Sequence, residues 1–286
     1  MIRSLDHVIL AVADLDAASA EYTTLLGRQP SWRGTHPAFG TRNTLFRLDN
    51  TYLELLAADG GTSSPFADLV RSVHGDHLER PFGLALGVDD LDAAVRAARS
   101  RGLTVGDAAP GSGIDTGSGR ERTWRSAFID SASSRGLRLL LIQHTSPPDA
   151  LPPSPFDADA GAACTAVDHV VIFTADLTAA AALWTGTLGV RESWRRDFPE
   201  RGTRNLGLDL GGITIELVTR TDKPGKPQAD TFWGIAYRVA SCDRAAERLR
   251  SSGLEVDAAR PGLARGTRVT TVHWRRTPTL IIQPRS

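Results

Sequence analysis

Asp6-His7-Val8 and Asp168-His169-Val170 stand 162 residues apart, and 47 residues beyond each histidine comes a glutamate, Glu54 in one case and Glu216 in the other. An imidazole and a carboxylate converging on one concave face suit two chemistries. They can hold a hard or borderline divalent ion, or they can pair with each other as an acid–base couple. A buried glutamate is costly unless a neighbouring imidazolium matches it. Without an ion, Glu54 or Glu216 is a general-base candidate whose pKa burial would raise.

Two further repeated segments carry reactive side chains. Trp32 and Trp194 occupy equivalent points, either as core or as a wall that stacks on a flat ligand. Gly40-Thr41-Arg42-Asn43 matches Gly202-Thr203-Arg204-Asn205. Neighbours in a strand point to opposite faces, so only one of Arg42 and Asn43, or of Arg204 and Asn205, faces a cleft. An arginine there would grip a carboxylate or enolate by a two-pronged contact; otherwise the arginine is on the surface and the asparagine holds a turn. His36 has Phe198 as its counterpart, which makes it either a solvated loop residue or an asymmetric proton carrier. His74, His77, His144 and His273 have no repeated partner either.

These matches belong to an internal duplication. Close to half the positions from Leu5 to Leu55 agree with the chain 162 residues on. Later matches such as Gly83-Leu84-Ala85 with Gly234-Ile235-Ala236 run at an offset of 151, and Ile142-Gln143 matches Ile282-Gln283. The first half has a longer connection around Ala58–Arg80 and an extra Gly/Ser-rich stretch, Gly111–Gly119, which reads as a mobile surface loop. Each half reads as two strand-helix-strand-strand-strand units. In the first, Leu5–Val12 is a strand. Asp14 caps an Ala-rich helix ended by Gly27, strands follow at Pro30–Arg33, Thr44–Leu48 and Thr51–Ala57, and Asp49-Asn50 makes a tight turn. Strands at Gly83–Val88, Leu103–Val105, Arg125–Ile129 and Arg138–His144 and a helix at Asp90–Ser100 complete the half. Modules over 1–145 and 166–286 follow, joined by a Pro-rich, extended linker over 146–165 that contains Cys164. The fold class is α+β, with four βαβββ units in two tandem modules.

Composition narrows the field. Lys+Arg and Asp+Glu both number 33, which argues against a protein that coats nucleic acid. The longest apolar runs, such as Leu137–Ile142, are strand-sized, so no membrane span is expected. The N-terminal residues enter a strand pattern at once, so no signal peptide is expected. Two distant cysteines offer no disulfide framework, and a reducing cytoplasm is the expected compartment.

The Leu5-Asp6-His7-Val8 opening, Gly87-Val88-Asp89-Asp90-Leu91, and the run from Trp32 to Tyr52-Leu53-Glu54-Leu55 resemble the vicinal oxygen chelate superfamily, especially its glyoxalase-like branch. The resemblance implies two curled eight-stranded mixed sheets, each around a cleft. It also implies a divalent ion (Fe, Mn, Ni or Zn) held from the first, fourth, fifth and eighth strands. Carried over residue by residue, the ligands are His7 and Glu54, and His169 and Glu216. The fifth-strand position falls on Gly83 and Gly234, which have no side chain to offer. The eighth falls either on Leu140, which cannot bind metal, or on Gln143 and Gln283, whose amide oxygens can. The implied function is a lyase or isomerase acting on a small molecule; a dioxygenase fits less well because its His-His-Glu triad is incomplete. The alternative is a metal-free protein that sequesters a small molecule, as bleomycin-resistance relatives do. Two modules in one chain are compatible with a monomer or a homodimer.

Overall fold

The computed structural model describes residues 2–61, 64–72, 81–222 and 229–285. In the first half, β1 (Ile2–Ala11) leads into α1 (Leu15–Leu26). The Asp14 carboxylate accepts from the amides of Asp16 and Ala17, and Gly27, at φ +63°, ends the helix. Strands β2 (Trp32–His36), β3 (Thr41–Arg47) and β4 (Tyr52–Ala58) follow, then α2 (Pro65–Ser72). The second unit comprises β5 (Gly83–Val88), α3 (Leu91–Ser100), β6 (Ala109–Asp115), β7 (Glu121–Ile129) and β8 (Leu139–His144). The eight strands close into a barrel in the order β1-β4-β3-β2-β6-β7-β8-β5.

The second half opens with β9 (Cys164–Phe173) and α4 (Leu177–Ala181), which runs into a π-helical turn over Ala182–Thr187. Next come β10 (Arg191–Phe198), β11 (Thr203–Asp209), β12 (Thr214–Arg220), β13 (Thr231–Val239) and α5 (Cys242–Ser251). Short strands β14 (Glu255–Val256) and β15 (Arg260–Pro261) precede β16 (Arg268–His273) and β17 (Thr279–Gln283). These form an open sheet of nine strands, β10-β11-β12-β9-β13-β17-β16-β14, with β15 on β16. Among the described residues no helix is long and apolar enough to cross a membrane.

The seam between β2 and β6 separates the two architectures. In the first module Gly34 pairs with Asp115 and Thr35 with Ile114, which closes the barrel. The Gly/Ser-rich stretch is therefore not a free loop: its first half is β6. Its glycines are there for contact. A side chain at Gly111 would run into the Trp124 indole, and one at Gly34 into that of Trp32, so each ring can lie flat across the sheet. The expected strand at Leu103–Val105 reduces to one bridge, Val105 to Ile129. In the second module β10 and β15 do not pair with each other, and the seam stays open.

The segment read as an extended linker is docked instead. Leu151 packs with Trp32, Leu45 and Tyr52 at one end of the barrel. Ser154 donates to the Arg47 carbonyl at 3.0 Å, and Gln29 to that of Pro155 at 2.9 Å. At the other end Phe66 of α2 packs on the cluster holding Ile9, Leu56 and Phe82. Cys164 begins β9 and is wholly buried.

One continuous apolar core spans both modules. The turn at Asn50 exchanges two hydrogen bonds with the Val167 backbone, at 2.8 and 3.0 Å, and Leu5 donates to the Leu210 carbonyl. Arg248 of α5 donates to the carbonyls of Thr24, Leu25 and Ala162, tying the second module to the end of α1. Two expectations follow. Urea should unfold the chain in one cooperative transition, because the halves share a core. Arg248→Met, which leaves these carbonyls without their donor, should lower stability by about 2–4 kcal/mol in the same titration.

Candidate functional site

Strands β1 and β4 run parallel with Ile9 beside Glu54, and β9 and β12 with Val171 beside Glu216. This register brings each histidine and glutamate onto the inner face of its sheet. The His7 Nε2 lies 3.3 Å from Glu54 Oε2, and His169 Nε2 lies 3.5 Å from Glu216 Oε2. The Asn43 amide donates to Glu54 Oε1 at 2.7 Å, and Asn205 does the same to Glu216 at 2.7 Å. Behind each histidine stands an aspartate: Asp6 is 2.7 Å from His7 Nδ1, and Asp168 is 2.9 Å from His169 Nδ1.

Adjacent residues in a regular strand diverge, so Asp6 reaches His7 only through a local irregularity. The β1–β5 register shifts between Leu5 and His7, and the β9–β13 register shifts at the equivalent place, around Asp168. A bulge in each first strand thus turns the aspartate toward its histidine. The outer oxygen of each aspartate is also held, by His144 at 3.0 Å in one module and by Arg238 at 2.7 Å in the other. Tyr52 stacks on His7 with ring centroids 4.5 Å apart. His36 hydrogen bonds to Thr41 and lies 4.0 Å from Glu54, so it is a buried neighbour of the first pair rather than a loop residue.

Burial alone would discharge these groups, but their mutual contacts prevail. For His7, burial is opposed by hydrogen bonds and charge from Asp6 and Glu54, and the pKa is raised to about 9. For Glu54, burial is opposed by the His7 hydrogen bond and charge, by His36 and by Asn43, and the pKa is lowered to about 2. The expectation of a Glu54 base with a raised pKa is thereby corrected: burial and a pairing with His7 were both legible, the balance between them was not. His169 is raised against burial by Asp168 and Glu216. Burial lowers His36, which stays neutral.

Other expected residues lie elsewhere. Arg42 is exposed, and Arg204 makes a two-pronged pair with Asp197 on the outer face, so neither grips a ligand in the cleft. Gln143 and Gln283 do not face inward. Gln143 accepts from the Leu91 amide at 3.1 Å and donates to the Asp89 carbonyl, while Gln283 accepts from the Cys242 amide at 3.1 Å. Both satisfy the first turn of a helix, a demand every helix makes. Trp32 is buried against Leu151 of the docked segment after β8, whereas Trp194 is 37% exposed on the second cleft. His74 and His77 lie outside the described residues. His273 pairs with Asp257 at the surface. The Cys164 thiol is pushed up to about 12 by burial and is no nucleophile.

The same positions test a divalent ion. Opposite His7 and His169 stand Ala85 and Ala236. Beyond them the eighth strands turn Leu140 and Ile142, or Leu280 and Ile282, toward the interior. A side chain at Gly83 would meet the Arg138 carbonyl at 2.9 Å, and one at Gly234 would strike that of Pro278. Each ring thus has one polar half and one apolar half. Two donors do not fit a resident ion, which needs three or four protein ligands. Among the described residues no three His, Cys, Asp or Glu side chains gather as a metal site.

Two copies of one constellation sit in different surroundings. The first cavity is about 70 Å³, walled by aromatics that include Phe39, Phe66 and Trp124. The second is about 990 Å³, the scale of a site for a whole small molecule. The His7 and Glu54 side chains are 6% and 9% exposed, against 17% and 14% for His169 and Glu216. Asp6, Asp168, Tyr52 and Arg238 were not singled out from sequence, and His144 was read only as a lone histidine with no repeated partner. Only the two aspartates carried a signal, their position before the repeated histidine.

Residues 5–163 match the model of the glyoxalase-like domain, and residues 168–271 that of the glyoxalase/bleomycin resistance protein/dioxygenase superfamily. An uncharacterized protein, YwkD of Bacillus subtilis, is 31% identical over 111 residues, 36% of this chain and 84% of its own. The ethylmalonyl-CoA/methylmalonyl-CoA epimerase of Cereibacter sphaeroides is 33% identical over 105 residues, 37% of this chain and 75% of its own. The Mn(II)-bound glyoxalase of Novosphingobium aromaticivorans shares the fold, with a TM-score of 0.62 at 18% identity over 99% of this chain and 82% of its own.

The charged pair in the first barrel sets a pH dependence. His7 titrates higher folded than free, so its stabilisation is full below pH 6.5 and is lost as pH rises through about 9. Glu54 titrates lower folded than free, so its stabilisation is full above pH 4.5 and is lost as pH falls through about 2. His7→Gln should therefore lower Tm most between pH 4.5 and 6.5 and least above about 9. A Tm difference that stays flat from acid to alkaline pH would show that the pair is not ionised.

Proposed function

Because the chain belongs to the glyoxalase/bleomycin resistance protein/dioxygenase superfamily, we propose that it is a small-molecule enzyme of the isomerase or lyase type, working in the cleft of the second module. One observation carries this reading: a braced His169–Glu216 pair lies on the wall of a cavity of about 990 Å³, while its twin lines one of about 70 Å³.

The arrangement suits proton transfer next to a carbonyl. The Glu216 carboxylate removes a proton from the carbon beside the carbonyl, and the C–H electron pair moves into the enolate. The imidazolium of His169 donates to the developing enolate oxygen. Asp168 holds the proton on the far ring nitrogen and fixes the ring's orientation. Asn205 fixes one carboxylate oxygen of Glu216, and the other, 3.5 Å from His169, is the one that takes the proton. Protonation of the planar enolate on its other face by water, with Glu216 releasing its proton to solvent, gives an isomer; departure of a group from the next carbon gives an elimination. The epimerase name of one relative supports the isomerase outcome. The two-donor set supports a route that relies on the chain's own acid and base.

The aromatic lining by Trp194, Phe198 and Trp233 favours a second reading, in which the cleft holds a flat molecule without turning it over. Deuterium uptake in D₂O, followed by NMR with methylmalonyl-CoA and a panel of 2-substituted acyl thioesters, separates the two. Exchange should appear, fall by at least about 100-fold in Glu216→Gln, and persist in Glu54→Gln, with Tm followed for both variants. Equal loss in both would overturn the choice of module. Tight binding without any exchange would leave the sequestration reading standing.

A further inference from the structure

The open seam of the second module is lined by arginines on both lips. Arg196 lies on β10 and Arg201 in the turn that follows it; Arg260 lies on β15 and Arg265 in the turn before β16. The first module serves as an internal control. At the offset of 162, Arg196 replaces Gly34 and Arg201 replaces Phe39; at 151, Arg260 replaces Ala109. In the first module these positions belong to strands that close the seam or, at Phe39, to the aromatic wall of the small cavity.

None of the four guanidinium groups lies within 4.0 Å of a carboxylate among the described residues, whereas their neighbours are matched: Arg195 by Glu192 at 3.0 Å, Arg204 by Asp197 at 2.7 Å, Arg268 by Asp243 at 2.8 Å. The cleft's own carboxylates are committed, Asp168 to His169 and Arg238, Glu216 to His169 and Asn205. Four positive charges with no ion-pair partner among the described residues set up a field over the cleft that draws in an anion. The surfaces beside them are apolar, with Trp194 37% and Leu263 48% exposed.

We propose that the second cleft binds an aromatic or similarly flat apolar molecule carrying an anionic group, carboxylate or phosphate, which the arginines of the two lips grip across the open seam. The inference rests on the reading of the second cleft as the working site and names its substrate class. Guanidinium forks suit both anions, because each offers two oxygens in a plane.

Isothermal titration of the full chain at low ionic strength with 2-naphthyl phosphate, 2-naphthoate and uncharged 2-naphthol tests it, since the three share one body and differ in the head. One equivalent of either anion should bind at least about ten-fold tighter than 2-naphthol. The order of the two anions tells a phosphate ligand from a carboxylate one. In R196Q/R201Q and in R260Q/R265Q the advantage should shrink to about two-fold, with 2-naphthol binding unchanged. These side chains lie on the cleft rim, outside the apolar core, and the variants should fold. Equal binding of all three probes, no binding of any, or unchanged anion binding in both double variants overturns the proposal. Arginine-dependent binding in a chain that exchanges no protons would uphold it while removing the enzyme reading. Loss of anion preference in a chain that does exchange protons would overturn this inference alone.

Discussion

A carboxylate on the inner wall of a sheet decides what must surround it. Glu54 and Glu216 are largely withdrawn from water, and an ionised group there is tolerated only when charge and hydrogen bonds replace the lost solvation. A facing imidazolium supplies the charge, and it in turn needs an acceptor for its second N–H. The nearest place for that acceptor is the preceding residue, which a regular strand would aim away. The bulge in β1 and again in β9 removes this obstacle by turning Asp6 and Asp168 inward. The second oxygen of each glutamate is met by an asparagine on the neighbouring strand. Both asparagines leave their own amide oxygen buried and unpartnered, a cost of about 1–3 kcal/mol each. That the same cost recurs in both modules marks the geometry of the glutamate as what is being held.

The two modules part company through chain length rather than through their inner walls. The offset between matching positions falls from 162 to 151 across the β4–β5 connection, and to 140 by Ile142-Gln143. Each step is a surplus in the first half. One surplus carries α2, which brings Phe66 onto Phe82 at the end of the barrel. The other lengthens the β6–β7 hairpin until β6 meets β2. The strap after β8 places Leu151 at the opposite end. Closure, cover and plug together reduce the first interior to a small void. The second module lacks both surpluses, and its seam stands open, with arginines on either side that form no ion pair among the described residues.

Much of this was legible in residue order. The duplication, the helix bounded by Asp14 and Gly27, and the recurrence of histidine and glutamate are local or periodic signals. What escaped depends on contacts across the fold. Glycines at 111 and 113 advertise flexibility by composition, yet they sit in a strand because Trp124 and His36 lie over them. Gln143 and Gln283 were placed in the right strand but on the wrong face: alternation makes a single-residue slip decisive, and the inward positions are Leu140 and Ile142, Leu280 and Ile282. Arg42 and Asn43 show the same rule from the other side, with only the asparagine turned in. The ionisation of Glu54 needed a distance to His7 that no sequence pattern supplies.

The persistence of the full constellation inside the closed barrel has a physical explanation that does not require it to react. Removing one member of a buried charged group strands the others, at a cost of about 3–5 kcal/mol, whereas exchanging the whole group for apolar side chains can be neutral. The exchange needs several coordinated changes: Asp6, His7, Asn43 and Glu54, and the partners His36 and His144. Each single step lies uphill. A barrel with only a small cavity is therefore held to its inherited polar centre by the energetics of partial removal.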